Sequence, residues 1–336
     1  MNRVTPVLAA ILAAASLAVA PARAEPVPIR VGWVVVPFEV IPVLFQAKDV
    51  LRHEGKSYAF EPVHVQSSAT GLVAIANGDL DVLGLNPLTI GTAIVNAKLD
   101  DIRAICDEYQ DGVDGYYSNG FLVLNSGPVK TIEDLKGRAV VTLGLASSAD
   151  IAIRVMLLKH GLVEKRDYTD LEAAPQNMKG MLNDGKVALM AAAGLTTHDP
   201  DLLATTHVLF SRRDAIGGPS QESTFFARSG FIAKNRTALV DFLEDYLRAL
   251  RWFADPANHQ AVVRMLGDFT KVPLSRFESW IFTHDDEYRD ANGLPDLESI
   301  QRVMAIVQKL GLLATVPEIE KYADLSLVKE AAARLK

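Results

Sequence analysis

Residues 134–161 read DLKGRAVVTLGLASSADIAIRVMLLKHG. Residues 138–143 are a short apolar run rich in valine, as a strand buried on both faces requires. Ser147-Ser148-Ala149-Asp150 has the chemistry of a helix start: a hydroxyl to accept a free N–H, and an acid three residues on. Ile151, Val155 and Leu158 then share one helical face, and Lys159, His160 and Gly161 are stop signals. A strand, tight loop and helix in this order turn unpaired N–H groups and the positive end of a helix dipole into the loop, a seat for an anion. The same residues also describe a crossover that only caps its own helix.

The same grammar occurs earlier in the chain. Residues 29–36, IRVGWVVV, form a first strand broken by Pro37-Phe38-Glu39. Residues 42–54 read as a helix, with Pro42 in its first turn and Gly55 as its stop. Residues 60–65 make a second strand. Ser67-Ser68-Ala69-Thr70 starts a helix ending at Asn77-Gly78, and residues 80–85 make a third strand before the loop Asn86-Pro87-Leu88-Thr89. Residues 102–107 are a further strand. This alternation predicts an α/β fold with largely parallel sheets. Residues 76–83 can be laid on 183–190, each a helix end and a glycine stop leading into a strand. Arg30-Val31-Gly32 can be laid on Arg138-Ala139-Val140. Matching features at one long spacing predict two lobes built on one plan.

Residues 121–124 run into the second lobe, and residues 225–233, FFARSGFIA, return from it. Two crossings make a hinge with a cleft between the lobes, and open α/β sheets bind ligands at the carboxyl ends of their strands. The predicted division is a leader over 1–24, lobe one over 25–122 plus 226–336, and lobe two over 123–225. After the return, Leu239, Phe242, Leu243, Tyr246, Leu247, Leu250 and Phe253 share one helical face, which marks core packing. Residues 300–310 and 326–335 also read as helices.

Met1-Asn2-Arg3, the apolar run over 7–20 and Ala22-Arg23-Ala24 have the layout of a cleaved secretory signal peptide. Losing its two arginines deepens the net charge of −7 carried by the whole chain. Such an acidic chain is a poor partner for nucleic acid or an anionic membrane. The single cysteine, Cys106, allows no internal disulfide, and its setting IRAIC reads as buried and unreactive.

Two runs point further. They are Asn77-Gly78-Asp79-Leu80-Asp81-Val82, a G-x-L-D-V/A pattern, and Thr131-Ile132-Glu133-Asp134-Leu135-Lys136-Gly137-Arg138. With the leader, the paired lobes and the two crossings, they resemble the periplasmic solute-binding proteins of ABC importers. The resemblance is narrower to the nitrate/sulfonate/taurine (NMT1/THI5-like) group. Ala188 departs from it, standing where the family commonly has Asp. Gly194-Leu195-Thr196-Thr197-His198 also departs, replacing a frequent aromatic or acidic loop. The resemblance implies a two-lobed type II binding-protein fold, each lobe a mostly parallel sheet flanked by helices. It also implies a periplasmic monomer with no cofactor and no metal, delivering a small molecule to a cognate permease in the inner membrane.

By that resemblance the ligand meets the loops after the strands. Trp33 and Phe38 are expected to wall an apolar body. Ser67 and Ser68 in one lobe, and Ser147 and Ser148 in the other, are expected to grip it with their hydroxyls and adjacent N–H groups. Asn86 offers an amide, Thr196 and His198 follow the last strand, and Tyr116 stands near the first crossing. No arginine falls in these loops; Arg103, Arg212, Arg213 and Arg228 are the nearest candidates for a charge clamp. The apolar run 34–38 favours an organic anion, an alkyl or aromatic sulfonate or an aromatic carboxylate, over nitrate. A neutral pyrimidine-like thiamine precursor is the alternative. Asp150 opposes an anion unless its carboxylate points away.

The sequence contains no G-x-S-x-G, H-E-x-x-H or G-x-x-x-x-G-K-[ST] pattern. His284-Asp285-Asp286-Glu287 is expected to be a solvated charged face, since adjacent helical residues do not converge on a metal. Some enzymes share the two-lobed fold, among them a yeast pyrimidine synthase whose cysteine-rich motif has no counterpart here. Capture without chemistry is the expectation. A secreted enzyme and a receptor-docking sensor are the competing classes.

Overall fold

The computed structural model describes residues 25–335 other than Ala146 and Ala193. The expected leader, 1–24, lies outside the described residues. The strands are β1 (Val27–Trp33), β2 (Tyr58–His64), β3 (Val82–Leu85), β4 (Ile102–Asp111), β5 (Gly120–Leu124), β6 (Arg138–Thr142), β7 (Tyr168–Glu172), β8 (Leu189–Ala191), β9 (Thr206–Ser211) and β10 (Ser220–Arg228). They form two five-stranded sheets, ordered β2-β1-β3-β10-β4 and β7-β6-β8-β5-β9. In the first, β2 and β3 pair parallel to β1, and only β10 runs against the rest. In the second, β7 and β8 pair parallel to β6, and only β5 runs against the rest. The two sheets thus share one order and one set of directions. The chain crosses at 112–119 and again at 212–219, a few residues before the expected boundaries. β5 lies wholly in the second sheet and β10 wholly in the first.

The register refines the overlay of the two halves. Val31 pairs with Val82, and Val140 pairs with Leu189. Val31 therefore answers to Val140, one residue away from the overlay read in the sequence, and a one-residue slip exchanges the faces. Arg30 answers to Ala139, and Asp81 to Ala188. Arg30 holds Asp81 with two side-chain bonds of 2.8 Å. The second lobe carries alanine at both positions, so acid and base are replaced together and neither is left unpaired.

The core lies on both faces of the first sheet. Phe225 and Phe226 are adjacent on β10 and point to opposite faces. Phe225 packs with Ile29, Val31 and the Ser229–Ala254 helix, and Phe226 with Leu83, Ile300 and Met304. All seven apolar residues expected on one face of that helix are buried. The helix begins at Ser229, with non-helical geometry at Asn235, so the return strand ends at Arg228 and not at 233. Asn86-Pro87-Leu88-Thr89, expected as a loop, is instead the start of the Pro87–Val95 helix, with proline at a first-turn position where its missing N–H is harmless.

The helix expected over 42–54 is reduced to Ile41–Leu44. Its second half wraps around Asp245 of the long helix instead. That carboxylate accepts from the N–H groups of Arg52 (2.7 Å), His53 (2.8 Å) and Glu54 (3.2 Å) and from the Tyr58 hydroxyl (2.9 Å). A buried carboxylate must be satisfied, and here it recruits backbone donors that a helix would have used itself. Among the described residues no helix is long and apolar enough to cross a membrane.

Candidate functional site

A cleft of about 840 Å³ lies between the two sheets. The turn after β1 contributes Val34, Val35 and Phe38, and the segments after β2 and β3 contribute Ser67, Ser68 and Asn86. The second lobe answers with Leu143, Ser147 and Ser148 after β6, and with Ala192 after β8. These are the carboxyl ends of parallel strands, where open α/β sheets leave their crevice.

Three helices begin at this cleft. Ser67 caps Ser68–Asn77 in a reciprocal box with Thr70. Asn86 caps Pro87–Val95, accepting from Thr89 N at 2.9 Å. Ser147 caps Ser148–Lys159, accepting from Asp150 N at 3.3 Å. A cap satisfies only part of a helix start, so other N–H groups and the positive end of each dipole face the cleft. The Asp150 carboxylate does not oppose them. It is buried and ion-paired with Arg154 at 2.6 Å, and Asp150 does not line the cleft.

Acids line the same cleft: Glu39, Glu222 and Glu287, all three buried, and Glu172 at the end of β7, which accepts from Leu145 N at 3.3 Å. Glu39 accepts from the Val34 N–H, and burial pushes its carboxyl up to about 7. Glu222 accepts from Ser220 Oγ at 2.6 Å and from Arg212 at 2.6 Å. A hydrogen bond with Ser148 of the second lobe also reaches Glu222, but burial dominates and raises its carboxyl. Burial, and then Asp111, raise Glu287. Arg212 also lies 3.7 Å from Asp111. Burial alone would lower its pKa, but Glu222 and Asp111 more than offset this and hold it charged. Phe38 stacks on Tyr109 of β4, with ring centroids 6.1 Å apart.

Residues 22–267 match the NMT1-like family. The chain belongs to the NMT1-like family. No curated protein matches it in sequence. Among solved structures it is similar to the periplasmic aliphatic sulphonate-binding protein SsuA of Escherichia coli, at 17% identity and a TM-score of 0.70, over 89% of this chain and 92% of that one. It is similar to the periplasmic nitrate-binding protein NrtA of Synechocystis PCC 6803, at 14% identity and a TM-score of 0.68, over 93% and 90%. The desulfurization enzyme DSZB is also similar, at 12% identity and a TM-score of 0.64, over 92% and 100%. These likenesses establish the two-lobed fold of this NMT1-like chain.

Of the residues singled out in the sequence, Phe38, Ser67, Ser68, Asn86, Ser147 and Ser148 all line the NMT1-like cleft. Trp33, Tyr116, Thr196 and His198 do not. Trp33 is the last residue of β1, and its ring packs on His64 at 4.4 Å and on Phe269 at 5.6 Å, where strand alternation directs it. Tyr116 packs on His284 and Tyr288 and lines a second cavity of about 240 Å³, which shares Glu287 with the cleft. Thr196 lies in the one-turn helix Gly194–Thr196, and the segment around it ties the lobes together. Arg276 donates to the Leu195 carbonyl at 2.7 Å and lies 3.6 Å from Asp199, while His198 stacks on Trp280 at 4.4 Å.

Arg212 is the one arginine of the four candidates that lines the cleft. Arg103 bonds the Asp100 and Ile102 carbonyls, Arg213 pairs with Asp114, and Arg228 pairs with Asp101. The segment 284–287 is not a solvated helical face. Asp286 and Glu287 are buried, with Asp286 ion-paired to Arg289 at 2.9 Å and Glu287 in the cleft wall. Glu39 and Glu222 carried no local signal beyond a turn and a strand. Glu287 ends the ligand-rich run His284-Asp285-Asp286-Glu287, but that run is a turn and not a helix, so the helical argument against convergence does not apply to it.

Proposed function

We propose that this protein is the solute-binding component of an ABC import system, exported by its leader and working as a monomer in the periplasm. It captures a small organic anion between the lobes, an alkyl or aromatic sulfonate or an aromatic carboxylate, and presents it to a membrane permease. One observation carries this: three capped helices from two lobes begin at one cleft, so closure brings their N–H groups onto one solute. Val34, Val35, Phe38, Leu72 and Leu88 line the same space, which suits an organic body better than nitrate. Ligand that touches both lobes stabilises the closed form and shifts the open–closed equilibrium.

Thermal shift against sulfonates, aromatic acids, nitrate and pyrimidines tests the ligand class. A ligand at 100 times its Kd stabilises the fold by about 2.7 kcal/mol, a rise of a few degrees. Stabilisation by neutral compounds alone would overturn the anion. The Phe38–Tyr109 stack favours one second reading, a neutral pyrimidine-like ring. Catalysis on this fold, as in DSZB, is a weaker fit: Cys106 is fully buried outside the cleft lining, and burial pushes its thiol well up.

A further inference from the structure

The second cavity, of about 240 Å³, has only Glu287 in common with the cleft. Leu250 and Ala254 line it from the end of the Ser229–Ala254 helix, Phe282 and Arg289 from the segment that follows, and Tyr116 from the first crossing. The 282–291 segment also grips that crossing. His284 Nδ1 bonds the Gly115 carbonyl at 2.9 Å, and Tyr116 packs on His284 and Tyr288.

Phe282 has a φ of 55°, in the left-handed region that a bulky side chain rarely occupies. The Asp286 carboxylate holds it there, accepting from the Phe282 N–H at 2.9 Å. Such geometry persists only where the surroundings over-determine it, and it clusters at ligand clamps. The Phe282 ring packs edge-on against Phe253, with centroids 5.4 Å apart, and the Arg289 guanidinium lies 5.0 Å from its centre.

Two polar atoms of this lining have no hydrogen-bond partner among the described residues: Nε of Arg289, a donor, and Oε2 of Glu287, an acceptor. The Arg289 side chain is 4% exposed and Glu287 is 4% exposed. The charges here are otherwise engaged or solvated. Arg289 pairs with Asp286 and donates to the Glu287 and Phe38 carbonyls. Arg251 donates to the Ala291 and Leu335 carbonyls and to Asn292 Oδ1. Asp255 is exposed and caps the turn after the long helix. Burial raises the Glu287 carboxyl and so favours its uncharged form. The cavity thus leaves open one N–H and one carboxyl oxygen beside aromatic rings. A primary amide on an aromatic ring answers all three, its carbonyl accepting from Arg289, its N–H donating to Glu287 and its ring lying against Phe282 and Tyr116. An apolar cavity of about 150 Å³ takes benzene, so this one has room for a ring carrying one such group.

We propose that this cavity is a second small-molecule site, for an uncharged aromatic amide, and that its occupant stiffens the first crossing between the lobes through Tyr116. The proposal does not rest on the cleft capturing an anion. Ordering the crossing would couple this site to lobe movement.

Benzamide is the probe, with benzoate and benzylamine as its charged counterparts. Calorimetric titration of the full chain should show one saturable site for benzamide with a Kd of about 1 mM or below. The two charged rings should bind about tenfold or more weaker, because each brings a charge the cavity does not balance. With benzamide bound, amide hydrogen exchange should slow over 112–119 and 282–291 and stay unchanged over 67–70 and 143–148 at the cleft. Ala254→Phe adds a ring to the lining from an exposed helix end, and it should abolish both binding and protection.

No saturable binding at about 10 mM overturns the proposal, since water then serves the two atoms as well. Benzoate or benzylamine binding as tightly overturns the amide chemistry. Protection at 67–70 and 143–148 in place of 112–119 and 282–291 puts the ring in the cleft and overturns the second site. Protection at 282–291 alone overturns the action on the crossing. Unchanged affinity in folded Ala254→Phe overturns the location; if that variant does not fold, the exchange map of the unaltered chain decides. Each of these results leaves anion capture to the thermal-shift panel, so the two readings fail separately.

Discussion

Arg212 and Glu222 meet across 2.6 Å with both side chains buried, and the pair spans the second crossing between the lobes. Arg212 follows the last residue of β9, and Glu222 is the third residue of β10. The charge that lines the cleft is therefore built into the segment about which the lobes would turn. Under the proposed capture, solute binding and lobe movement would share these atoms.

Removing one partner of this pair strands the other. Arg212→Ala leaves Glu222 buried without its guanidinium, and the expected loss is about 3–5 kcal/mol in urea unfolding. Glu222→Gln should cost less, because the Ser220 bond can persist. A loss below about 1 kcal/mol for Arg212→Ala would show that water reaches the pair and that the hinge is more open than described.

Glu39 predicts a pH dependence of stability. Burial raises its carboxyl to about 7, and that of Asp107 to about 7. Between about pH 4 and 7 the folded chain holds protons that the unfolded chain has released. The stability these groups contribute is complete below about pH 4 and is lost as pH rises through 7. Glu39→Gln has no proton to lose, so the fall in melting temperature between pH 4.5 and 7.5 should become shallower. An unchanged slope would remove Glu39 from the account.

The contact between His198 and Trp280 acts as a clasp between lobes. Burial lowers the His198 pKa below its ordinary value, which favours the neutral form of the stacked ring. Its contribution should be present above about pH 6.5 and be lost as pH falls, since the unfolded imidazole takes up a proton there. Arg276→Ala removes the bond to the Leu195 carbonyl and the charge near Asp199. We expect it to enlarge the radius of gyration measured by scattering and to weaken solute binding several-fold. Unchanged scattering and affinity would make the clasp incidental.

Asp245 should matter for stability and not for binding. It gathers three backbone N–H groups and the Tyr58 hydroxyl on the side of the first lobe away from the cleft lining. Asp245→Ala leaves those donors without their acceptor, and the cost is expected to exceed about 2 kcal/mol. Solute affinity measured below the melting transition should stay within about twofold. A large loss of affinity would tie the 52–54 segment to the site.

Ser147→Ala should cost about 1 kcal/mol as a lost cap. Paired with Ser148→Ala, it should also weaken binding, because Ser148, the first residue of that helix, lines the cleft and bonds Glu222. Unchanged affinity in the double variant would reduce both serines to structural caps.

The legible parts of this protein are those whose causes lie within a few residues. Gly78 and Gly185 end matching helices, and both adopt positive φ, 80° and 69°, as stop glycines do. Ser67 and Ser147 cap because the N–H groups they satisfy are close along the chain, and the valine-rich runs and the seven-residue helical face follow from periodicity. Six of the ten expected site residues reach the cleft for the same reason, since helix starts and strand ends are local features. The sequence by itself therefore determined the two-lobed α/β plan and the capped helix starts at the cleft.

Tertiary structure decided what lies far apart along the chain. Asp245 undid a helix almost 200 positions away by offering its backbone a better acceptor. Glu39, Glu222 and Glu287 have no mutual signal in the sequence, and only the meeting of β1, β10 and the C-terminal segment makes them one wall. Whether a carboxylate is solvated or buried depends on what covers it, and burial then sets its proton and its appetite for a partner. That is why the helix starts could be read as a seat for an anion from residues 134–161, while the buried acids that share the cleft with them could not.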